Sequence, residues 1–326
     1  MKTFTLGGLF SGVGGIELGL TRNNIQPLWA NDLDKYAFKT YTSNFDTNFL
    51  LDDIKNISGT GLAAVDVLCG GFPCQPFSVA GYQKGFADDR GNVFFEIIRL
   101  INELPEKPKA LLLENVKNFY THDKGNTFKI VKDTLEANGY SVYTDILNTS
   151  KYTNIPHNRE RTFMVCFLDT PQNEMKKFFE DNCLPTVANE TITLSEFLES
   201  GKVDEKYYYR EDKYMYDDLV KDMTNPNTVY QWRRKYVREN KSGVCPTLTA
   251  NMGTGGHNVP LILVEDGIRK LTPRECFNLQ GFPDSYKLPD DVANTQLYKQ
   301  AGNSVTVALV EKLGKGIQET LEHFNR

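Results

Sequence analysis

The stretch LFSGVGGIELGL, residues 9–20, joins an apolar run to a helix-like segment through closely spaced glycines. In open α/β sheets, a strand that ends in glycines and leads into a helix is a site for nucleotides, because glycine lets a ligand approach the backbone. Asp32 ends the next apolar run, where its carboxylate is suited to ribose hydroxyls. The glycines lack the Gly-x-Gly-x-x-Gly spacing of dinucleotide sites, so the stretch predicts either a nucleotide-type cofactor or a tight structural turn.

Apolar strand-like runs alternate with helical segments around this stretch, through residues 1–170. Runs such as ALLLENV, residues 110–116, are apolar enough for strands that are buried on both faces. We therefore predict a doubly wound, mostly parallel α/β sheet of the Rossmann-like type. The predicted strands are 3–10, 26–31, 65–70, 109–115, 142–148 and 161–168, and the predicted helices are 14–23, 34–44, 93–104 and 127–138.

The alternation is lost between residues 185 and 268, where aromatic, charged and turn-forming residues are mixed. This change predicts a second, smaller and irregular domain. Helical signals return at Thr272, Pro273 and Glu275, whose spacing predicts a capping box at a helix start. An apolar stripe over residues 304–324 predicts a C-terminal helix that rejoins the first domain.

The bulk composition is that of a globular chain, with 326 residues of which 40% are hydrophobic. No run approaches the roughly 18 apolar residues that cross a bilayer. The N-terminus also lacks the pattern of a secretory leader, so we expect a cytoplasmic protein. The six cysteines include no Cys-x-x-Cys pair and have no His partner at zinc spacing, so we predict no metal site, and the expected intracellular location argues against disulfides.

Charge is segregated along the chain. The net charge of −5 argues against indiscriminate binding to polyanions. Residues 228–241, TVYQWRRKYVRENK, nevertheless hold five basic residues and one acid, whereas residues 204–222 hold seven acids and four bases. The basic stretch predicts either a nucleic-acid contact or an ordinary solvated surface.

Two chemically capable side chains follow predicted core strands. Cys74 comes after Pro73, past the carboxyl end of a strand, where α/β sheets build their sites. Lys84 and Arg90 in the following segment would favour a nucleophilic thiolate, although an inert cysteine is the alternative. Glu114 ends another strand, where an apolar environment would favour the protonated acid, or it caps the next turn. Together these residues predict a thiol-plus-acid site at one sheet edge.

Other polar residues have less specific signals. Arg159 and Arg161 lie two residues apart at a predicted strand start and so share one face. They could hold a phosphate or a ring carbonyl, or they could be surface arginines. Asp53 follows a third strand and could contact an adenine amino group or serve as a turn residue. The histidines lie in loops or in the tail, and no Ser-His-Asp set is evident.

These motifs, in this order, resemble the DNA (cytosine-5)-methyltransferases of bacterial type II restriction–modification systems. The resemblance covers nearly the whole chain and depends on eight stretches. They are FSGVGG (10–15), ANDLDKYAFKTY (30–41), DDIKNI (52–57), GGFPCQPFS (70–78), LLLENVKNF (111–119), IPHNRERTFMV (155–165), RKLTPRECFNLQGFP (269–283) and QAGNSV (300–305). One departure is visible, because the family usually has Gln-x-Arg-x-Arg where this chain has His157 in the first position.

The resemblance implies S-adenosylmethionine as methyl donor, with S-adenosylhomocysteine as its product. The implied cofactor-binding residues are Phe10, Ser11, Gly12, Val13, Gly14, Gly15, Asp32, Leu33, Asp53, Ile54, Pro73, Asn303 and Ser304. The resemblance further implies four catalytic residues. They are Cys74 as nucleophile, Glu114 at the base N3 edge, Arg161 at the base carbonyl, and Arg159 steadying the site or a phosphate.

The implied substrate is double-stranded DNA with a short specific site. Residues 1–188 would form the catalytic and cofactor-binding domain, 189–270 the target recognition domain, and 271–326 a hinge and the C-terminal helix. A mobile loop at residues 81–90 would close over the DNA. The implied DNA contacts are Ala80, Tyr82, Lys84, Arg90, Arg233, Arg234, Arg238, Thr247 and Asn251. We expect a monomer with a cognate restriction endonuclease as functional but not physical partner.

The same chemistry would explain the thiol. Cytosine C5 is too weak a nucleophile to take a methyl group directly, so Cys74 would first add to C6 of a base swung out of the duplex. Three other functions remain open. A tRNA cytosine-5 methyltransferase of the eukaryotic type would carry a Cys-Phe-Thr tripeptide that this chain lacks, and a dehydrogenase would carry a dinucleotide fingerprint. A non-catalytic nucleotide-binding regulator would not need Cys74, Glu114 and Arg161 together.

Overall fold

The computed structural model describes residues 2–73, 93–183, 185–188, 190, 192–213, 215–233, 235–254 and 258–324, without the side chains of Gln172, Lys176 and Asn182. The predicted site residues Cys74, Ala80, Tyr82, Lys84, Arg90 and Arg234 lie outside the described residues. The chain divides into two compact units. The first contains Met1–Leu147, Glu160–Pro185 and Leu309–Arg326, and the second contains Asn148–Arg159 and Thr186–Ala308.

A seven-stranded sheet forms the centre of the first unit. Its order is β3-β2-β1-β4-β5-β7-β6, and each pairing from β3 to β5 is parallel, whereas β7 runs antiparallel to β5. The strands are β1 (Phe4–Leu9), β2 (Ile25–Asp32), β3 (Asn48–Leu51), β4 (Val67–Gly71), β5 (Ala110–Val116), β6 (Tyr140–Asn148) and β7 (Glu160–Leu168).

Helices connect these strands in the manner of a doubly wound fold. They are α1 (Gly15–Thr21), α2 (Lys35–Thr42), α3 (Val93–Glu103), α4 (Asn126–Ala137), α5 (Thr149–Tyr152), α6 (Gln172–Asn182) and, near the C-terminus, α10 (Val307–His323). Leu111 and Leu113 of β5 share one buried cluster with Ile97 of α3 and Leu135 of α4. Because successive side chains of a strand point to opposite faces, Leu112, between Leu111 and Leu113, points to the other face of the sheet. A strand that is buried on both faces is therefore mainly apolar.

Strand order reverses between β1 and β4. The chain builds β2 and β3 on one side of β1 and then crosses to the other side to form β4 and β5. In open α/β sheets, ligands bind outside the carboxyl ends of the strands at such a reversal, because the two following loops diverge there. Residues 10–15 follow β1 and residues 72–73 follow β4, so both predicted motifs begin at this position.

The second unit contains a smaller antiparallel sheet of order β11-β10-β8-β9. Its strands are β8 (Tyr230–Arg233), β9 (Tyr236–Glu239), β10 (Leu261–Val264) and β11 (Gly267–Lys270). Within the described residues, the helices of this unit are α5, given above, and α7 (Tyr216–Asp222), α8 (Pro273–Asn278) and α9 (Asn294–Asn303). None of the helices in the described part of the chain is long and apolar enough to cross a membrane.

The predicted fold class is confirmed, and most predicted elements are present with ends shifted by a few residues. The capping box at Thr272 is also present, with Glu275 accepting from the Thr272 N–H in return. The small sheet was not predicted, and neither were the bounds of β3. The predicted domain boundaries at 188 and 270 divide the chain by expected role, whereas the two compact units divide it by contacts. The predicted boundaries therefore stay predictions.

Glu275 also anchors a buried ion pair in the second unit. Its two carboxylate oxygens accept hydrogen bonds from the Arg269 guanidinium at 2.7 and 2.8 Å, and both side chains are almost fully buried. One oxygen also accepts from the Glu199 N–H at 3.0 Å. Removing one charge from such a pair leaves the other buried and uncompensated.

We therefore expect Glu275→Gln to lower the free energy of unfolding by about 3–5 kcal/mol. Urea denaturation measures this change. The matched control is Glu205→Gln, which breaks the exposed pair between Glu205 and Arg210 in the same unit and should have no measurable effect. Equal effects of the two substitutions would contradict the assignment.

Candidate active site

The loop after β1 has a backbone that requires glycine at one position. Gly14 adopts φ +76°, and a Cβ there would lie 2.4 Å from the Phe45 ring. Gly12 also has positive φ, +54°, but the space beside it is open, with only the Phe10 carbonyl oxygen at 4.0 Å from an added Cβ. Because no side chain fills that space, a ligand can approach the Gly12 backbone.

Asp32 holds this loop in place. Its carboxylate accepts hydrogen bonds from the Gly12 N–H at 2.8 Å and from the Asp34 N–H at 2.9 Å. Burial raises the pKa of Asp32, and these two backbone donors act in the opposite direction. A carboxylate oxygen has more than one lone pair, so the same group can still accept from a bound hydroxyl. Leu33 beside it is 68% exposed.

Asn31 joins the loop after β1 to the end of β3. Its carbonyl accepts from the Ser11 N–H at 2.9 Å, and its buried side-chain amide donates to the carbonyls of Leu50 and Asp52, both at 2.8 Å. Asp53 follows and caps a short 3-10 turn by accepting from the Lys55 N–H at 3.0 Å. The loops that carry two of the predicted cofactor contacts are therefore linked by hydrogen bonds.

The remaining predicted residues of these loops differ in exposure. Val13 and Gly15 are buried, and Ile54 lies within the hydrophobic core. Phe10 is partly buried against the same core and has a positive φ of 53°. The cofactor roles predicted for these residues stay predictions.

Glu17 is a buried acid near the loop after β1 that no sequence motif singled out. It lies in the first turn of α1 and is 1% exposed, and neither of its carboxyl oxygens has a hydrogen-bond partner of normal geometry among the described residues. A Cβ on Gly8 would lie 2.3 Å from Glu17 Oε1 and 2.6 Å from Ser11 Oγ, so both polar groups face the same glycine. Burial raises the pKa of Glu17 to about 7, while Ser11 acts in the opposite direction.

A carboxyl with this pKa makes stability depend on pH. Glu17 ionises near 4.5 in the unfolded chain and near 7 in the folded protein, so between these values only the folded state keeps the proton. The free energy of unfolding therefore falls as pH rises from about 4.5 to 7, by roughly 3 kcal/mol from this group. Glu17→Gln should remove that loss, so its stability relative to wild type should rise with pH.

Urea denaturation of both proteins at pH 4.5 and pH 8 measures the difference. Glu174→Gln, at an exposed glutamate of the same unit, controls for the loss of one negative charge. Parallel pH profiles for wild type and Glu17→Gln would contradict the assignment.

Glu114 and Arg161 meet at the same sheet edge. Glu114 lies near the end of β5, beside Gly71 of β4, and a Cβ on Gly71 would lie 2.9 Å from Glu114 Oε2. Arg161 at the start of the antiparallel strand β7 places its Nε 3.0 Å from Glu114 Oε1. The two side chains are 12% and 15% exposed, so they remain accessible from one side. Burial lowers the pKa of Arg161, and the Glu114 carboxylate opposes this effect.

Asn115 fixes the segment that leads from β4 toward Cys74. Its buried side-chain amide donates to the Phe72 carbonyl at 2.9 Å. Phe72 packs into the core, whereas Pro73 is exposed. Gly71 is three residues before Cys74 in the sequence, so the described chain brings the predicted nucleophile's strand alongside Glu114. Cys74 itself lies outside the described residues, and its role stays a prediction.

The structure places Arg159, Asn303 and Ser304 in the second unit. Arg159 is 2% exposed and donates to the carbonyls of Leu248, at 2.8 Å, and Gly302, at 3.0 Å, and also to that of Ser304. Asn303 is exposed at the end of α9. The predicted phosphate contact of Arg159 stays a prediction, as does the cofactor contact of Asn303 and Ser304.

The hairpin of β8 and β9 has two different faces. Tyr230, Trp232 and Val237 point to a small hydrophobic cluster of the second unit. Because side chains alternate along a strand, Arg233, which pairs with Tyr236, and Arg238, which pairs with Gln231, point to the other face and are both exposed. That face also carries Gln231 and the exposed ring of Tyr236. Thr247 and Asn251 are exposed as well, on the segment after this hairpin.

Within the described residues all five cysteines are buried free thiols. Burial raises the pKa of each, to about 11 for Cys183 and further for Cys69, Cys166, Cys245 and Cys276. Such thiols are poor nucleophiles near neutral pH. The described residues also contain no group of three or more His, Cys, Asp or Glu that could hold a metal ion.

A mostly parallel, doubly wound sheet with a glycine loop at its strand reversal and an acid–arginine pair at the adjacent strand ends defines a nucleotide-dependent α/β enzyme. The model of the family of C-5 cytosine-specific DNA methylases matches residues 4–319. The chain therefore belongs to this family and is a DNA (cytosine-5)-methyltransferase.

Curated relatives of similar length are type II methyltransferases. The chain is 50% identical over 317 residues to Type II methyltransferase M.Bsp6I of Bacillus sp. (strain RFL6), covering 96% of this chain and 98% of that one. It is 37% identical over 329 residues to Type II methyltransferase M.HhaI of Haemophilus parahaemolyticus, covering 96% and 94%.

Solved structures share the fold at low sequence identity. The Dnmt2 methyltransferase of S. pombe superposes with a TM-score of 0.72 at 22% identity over the full length of both chains. A putative DNA modification methyltransferase encoded within an E. coli prophage has a TM-score of 0.68 at 20% identity, covering 98% of this chain and 100% of that one.

Proposed function

We propose that this chain methylates C5 of a cytosine within a short specific sequence of double-stranded DNA, after the base has left the helix. The observation that supports this most is the ion pair of Glu114 and Arg161, which joins an acid and a fixed cation next to the end of β4. A pyrimidine ring has a nitrogen and a carbonyl on one edge, and these need such a pair of partners. A stacked base cannot offer that edge together with C6, so the base must be extruded at a cost of a few kcal/mol.

The residues after β1 and β2 fit S-adenosylmethionine. The open space at Gly12 allows close approach to the backbone, and the exposed Leu33 offers an apolar surface to an adenine ring. Asp32 can accept from ribose hydroxyls while it holds the loop, and the buried carboxyl of Glu17 beside Ser11 would be stabilised in its ionised form by a cationic ligand. When bound, this cofactor supplies an electrophilic methyl group.

The protein's own groups make the cytosine reactive. The Cys74 thiolate forms a bond to C6, and the electron pair of the C5–C6 double bond moves toward N3 and the carbonyl. Glu114 donates a proton or hydrogen bond at N3, and Arg161 holds the carbonyl oxygen. Once C5 carried the methyl group that the cofactor would supply, with S-adenosylhomocysteine as the leaving group, loss of the C5 proton to solvent and elimination of the Cys74 thiolate would restore the ring. The Arg161 contact favours the ionised carboxylate, so Glu114 must take up a proton as the base binds.

The thiol is the group whose loss should stop the reaction. Cys74→Ser should reduce methyl transfer to background, because a hydroxyl is a far weaker nucleophile than a thiolate at neutral pH. Transfer of radiolabelled methyl groups to DNA measures activity, and titration with S-adenosylhomocysteine should give an unchanged Kd.

The matched control is Cys183→Ala, which removes a buried thiol at the end of α6. We expect that variant to keep its activity. Full activity of Cys74→Ser would contradict the proposed mechanism.

The exposed face of the β8–β9 hairpin is suited to DNA. A two-stranded ribbon fits the major groove, where arginine donates two hydrogen bonds to guanine and glutamine pairs with adenine. Arg233, Arg238, Gln231 and Tyr236 supply such groups on one face, while the opposite face is anchored in a hydrophobic cluster. We propose that this face contacts the target duplex and that Arg234, in the same basic stretch, contributes to it. The loop residues Ala80, Tyr82, Lys84 and Arg90 stay predicted DNA contacts.

Arg238→Ala tests this surface. If Arg238 contacts a base, affinity for the target duplex should fall by about 1–3 kcal/mol and discrimination at one position should relax. If it contacts a phosphate, the slope of the logarithm of the binding constant against the logarithm of the salt concentration should decrease in magnitude by about one. Fluorescence anisotropy at several salt concentrations measures both. Lys221→Ala, at an exposed lysine of α7, is the control, and an effect no larger than that of this control would contradict the proposal.

The biological setting follows from these proposals. Methylation at a specific site would protect host DNA from a cognate endonuclease, and we expect the enzyme to act as a cytoplasmic monomer. Expression in a methylation-deficient bacterium followed by bisulfite sequencing would reveal both activity and target, as cytosines that resist conversion. Parallel assays on duplex DNA and tRNA distinguish the proposed substrate from tRNA, and complete conversion by a folded protein would contradict the proposal.

A further inference from the structure

His157 uses both of its ring nitrogens inside the second unit. The side chain is fully buried. Its Nδ1 lies 3.1 Å from the Leu279 carbonyl oxygen, and its Nε2 lies 3.2 Å from the Leu248 amide nitrogen. A carbonyl can only accept and an amide N–H can only donate, so these partners require a neutral imidazole with its proton on Nδ1.

Arg159 binds the other backbone polar group of Leu248. Its Nη1 donates to the Leu248 carbonyl at 2.8 Å, so the N–H of Leu248 and its C=O are each bound by a different buried side chain. The Arg159 fork also donates to the carbonyl of Gly302 at 3.0 Å and to that of Ser304. Leu248 is thereby tied to two further segments of the second unit.

The backbone between these side chains is paired as well. The Cys245 N–H donates to the Pro156 carbonyl at 2.7 Å, and the Asn158 N–H donates to the Cys245 carbonyl at 2.8 Å. These bonds form a short parallel bridge between residues 156–158 and the segment that begins at Cys245. The exposed Thr247 hydroxyl then donates to the Asn158 carbonyl at 2.6 Å.

We propose that His157 and Arg159 are positioning residues. They hold the backbone N–H and C=O of Leu248, and with them the neighbouring exposed residue Thr247, in the conformation that contacts DNA. This inference rests on the proposed DNA methylation. It deepens that proposal because it gives residues 245–248, which carry the predicted DNA contact Thr247, a fixed attachment to residues 156–159. We call the side chains of His157 and Arg159, with their bonds to Leu248, the clamp. Arg161 follows Arg159 by two residues in the chain, so the clamp and the proposed base contact belong to one short stretch of sequence.

The chemistry of the clamp selects which substitutions are tolerated. A glutamine amide offers one donor and one acceptor, so His157→Gln can bind both Leu279 and Leu248. A leucine fills similar space but leaves a buried carbonyl and a buried N–H without partners, each of which is costly. Arg159→Lys keeps the charge but replaces a planar fork with a single ammonium, which cannot hold the same three carbonyls in fixed directions.

The experiment compares kcat/KM on a duplex with the target site and on one with a single altered base pair. Wild type must first methylate its target, and failure of that step counts against the proposed function rather than the clamp. Titration with S-adenosylhomocysteine counts folded protein in each preparation. His157→Gln should stay within about threefold of wild type on both duplexes, and His157→Leu should lose discrimination by about tenfold or more.

A merely structural role would lower activity on both duplexes in proportion to the folded fraction and leave their ratio unchanged. That result would overturn the proposal, as would loss of discrimination in His157→Gln. If His157→Leu does not fold, Arg159→Lys is the second variant and should shift the same ratio, with circular dichroism showing an unchanged folded fraction. An unchanged ratio in Arg159→Lys would overturn the proposal equally.

Discussion

The pairing of β1 with β4 at the centre of the sheet is the constraint on which the candidate active site depends. Leu9 lies opposite Gly70, and a Cβ on that glycine would approach the Leu9 carbonyl to 2.9 Å. Strand order reverses at this pair, so the loops after the two strands diverge and leave a crevice. The glycine loop and the segment leading to Cys74 therefore start from adjacent strand ends, and β5 brings Glu114 alongside.

Three acids near this edge differ in how far their charge is compensated. Asp32 accepts two backbone N–H groups that shape the glycine loop, and Glu114 is paired with the Arg161 guanidinium. Glu17 has neither kind of partner among the described residues and has a pKa of about 7. Because an uncompensated buried carboxyl costs stability at neutral pH, its retention next to Ser11 agrees with a cationic ligand at the loop.

The sequence predicted the elements whose signal is local. Strands β1 and β5 are built on apolar runs, and the capping box at Thr272 follows a fixed spacing, so all three features were predicted within a few residues. The strands β3 and β8–β11 are four residues long, and β3 is partly exposed, so their periodicity is too short to detect. Their existence depends on pairing between distant segments rather than on composition.

Site residues could likewise be predicted only where the sequence signal is local. Cys74, Glu114 and Arg161 could be predicted because each lies near the end of an apolar run, whereas Glu17 is buried only because Gly8 leaves room for it. His157 was noted as a departure from the family's usual glutamine, and its role stayed open. Its partners Leu248 and Leu279 lie 91 and 122 residues away in the chain, so only the fold brings them together.

The most direct test of the account is covalent capture of the enzyme by a duplex whose target cytosine carries fluorine at C5. The fluorine prevents removal of a C5 proton, so thiolate elimination is blocked after methyl transfer and the enzyme stays attached. With S-adenosylmethionine present, the account predicts a denaturation-resistant complex whose attachment maps by peptide sequencing to Cys74. Efficient methylation of the ordinary duplex without any such complex, or attachment through a different residue, would contradict it.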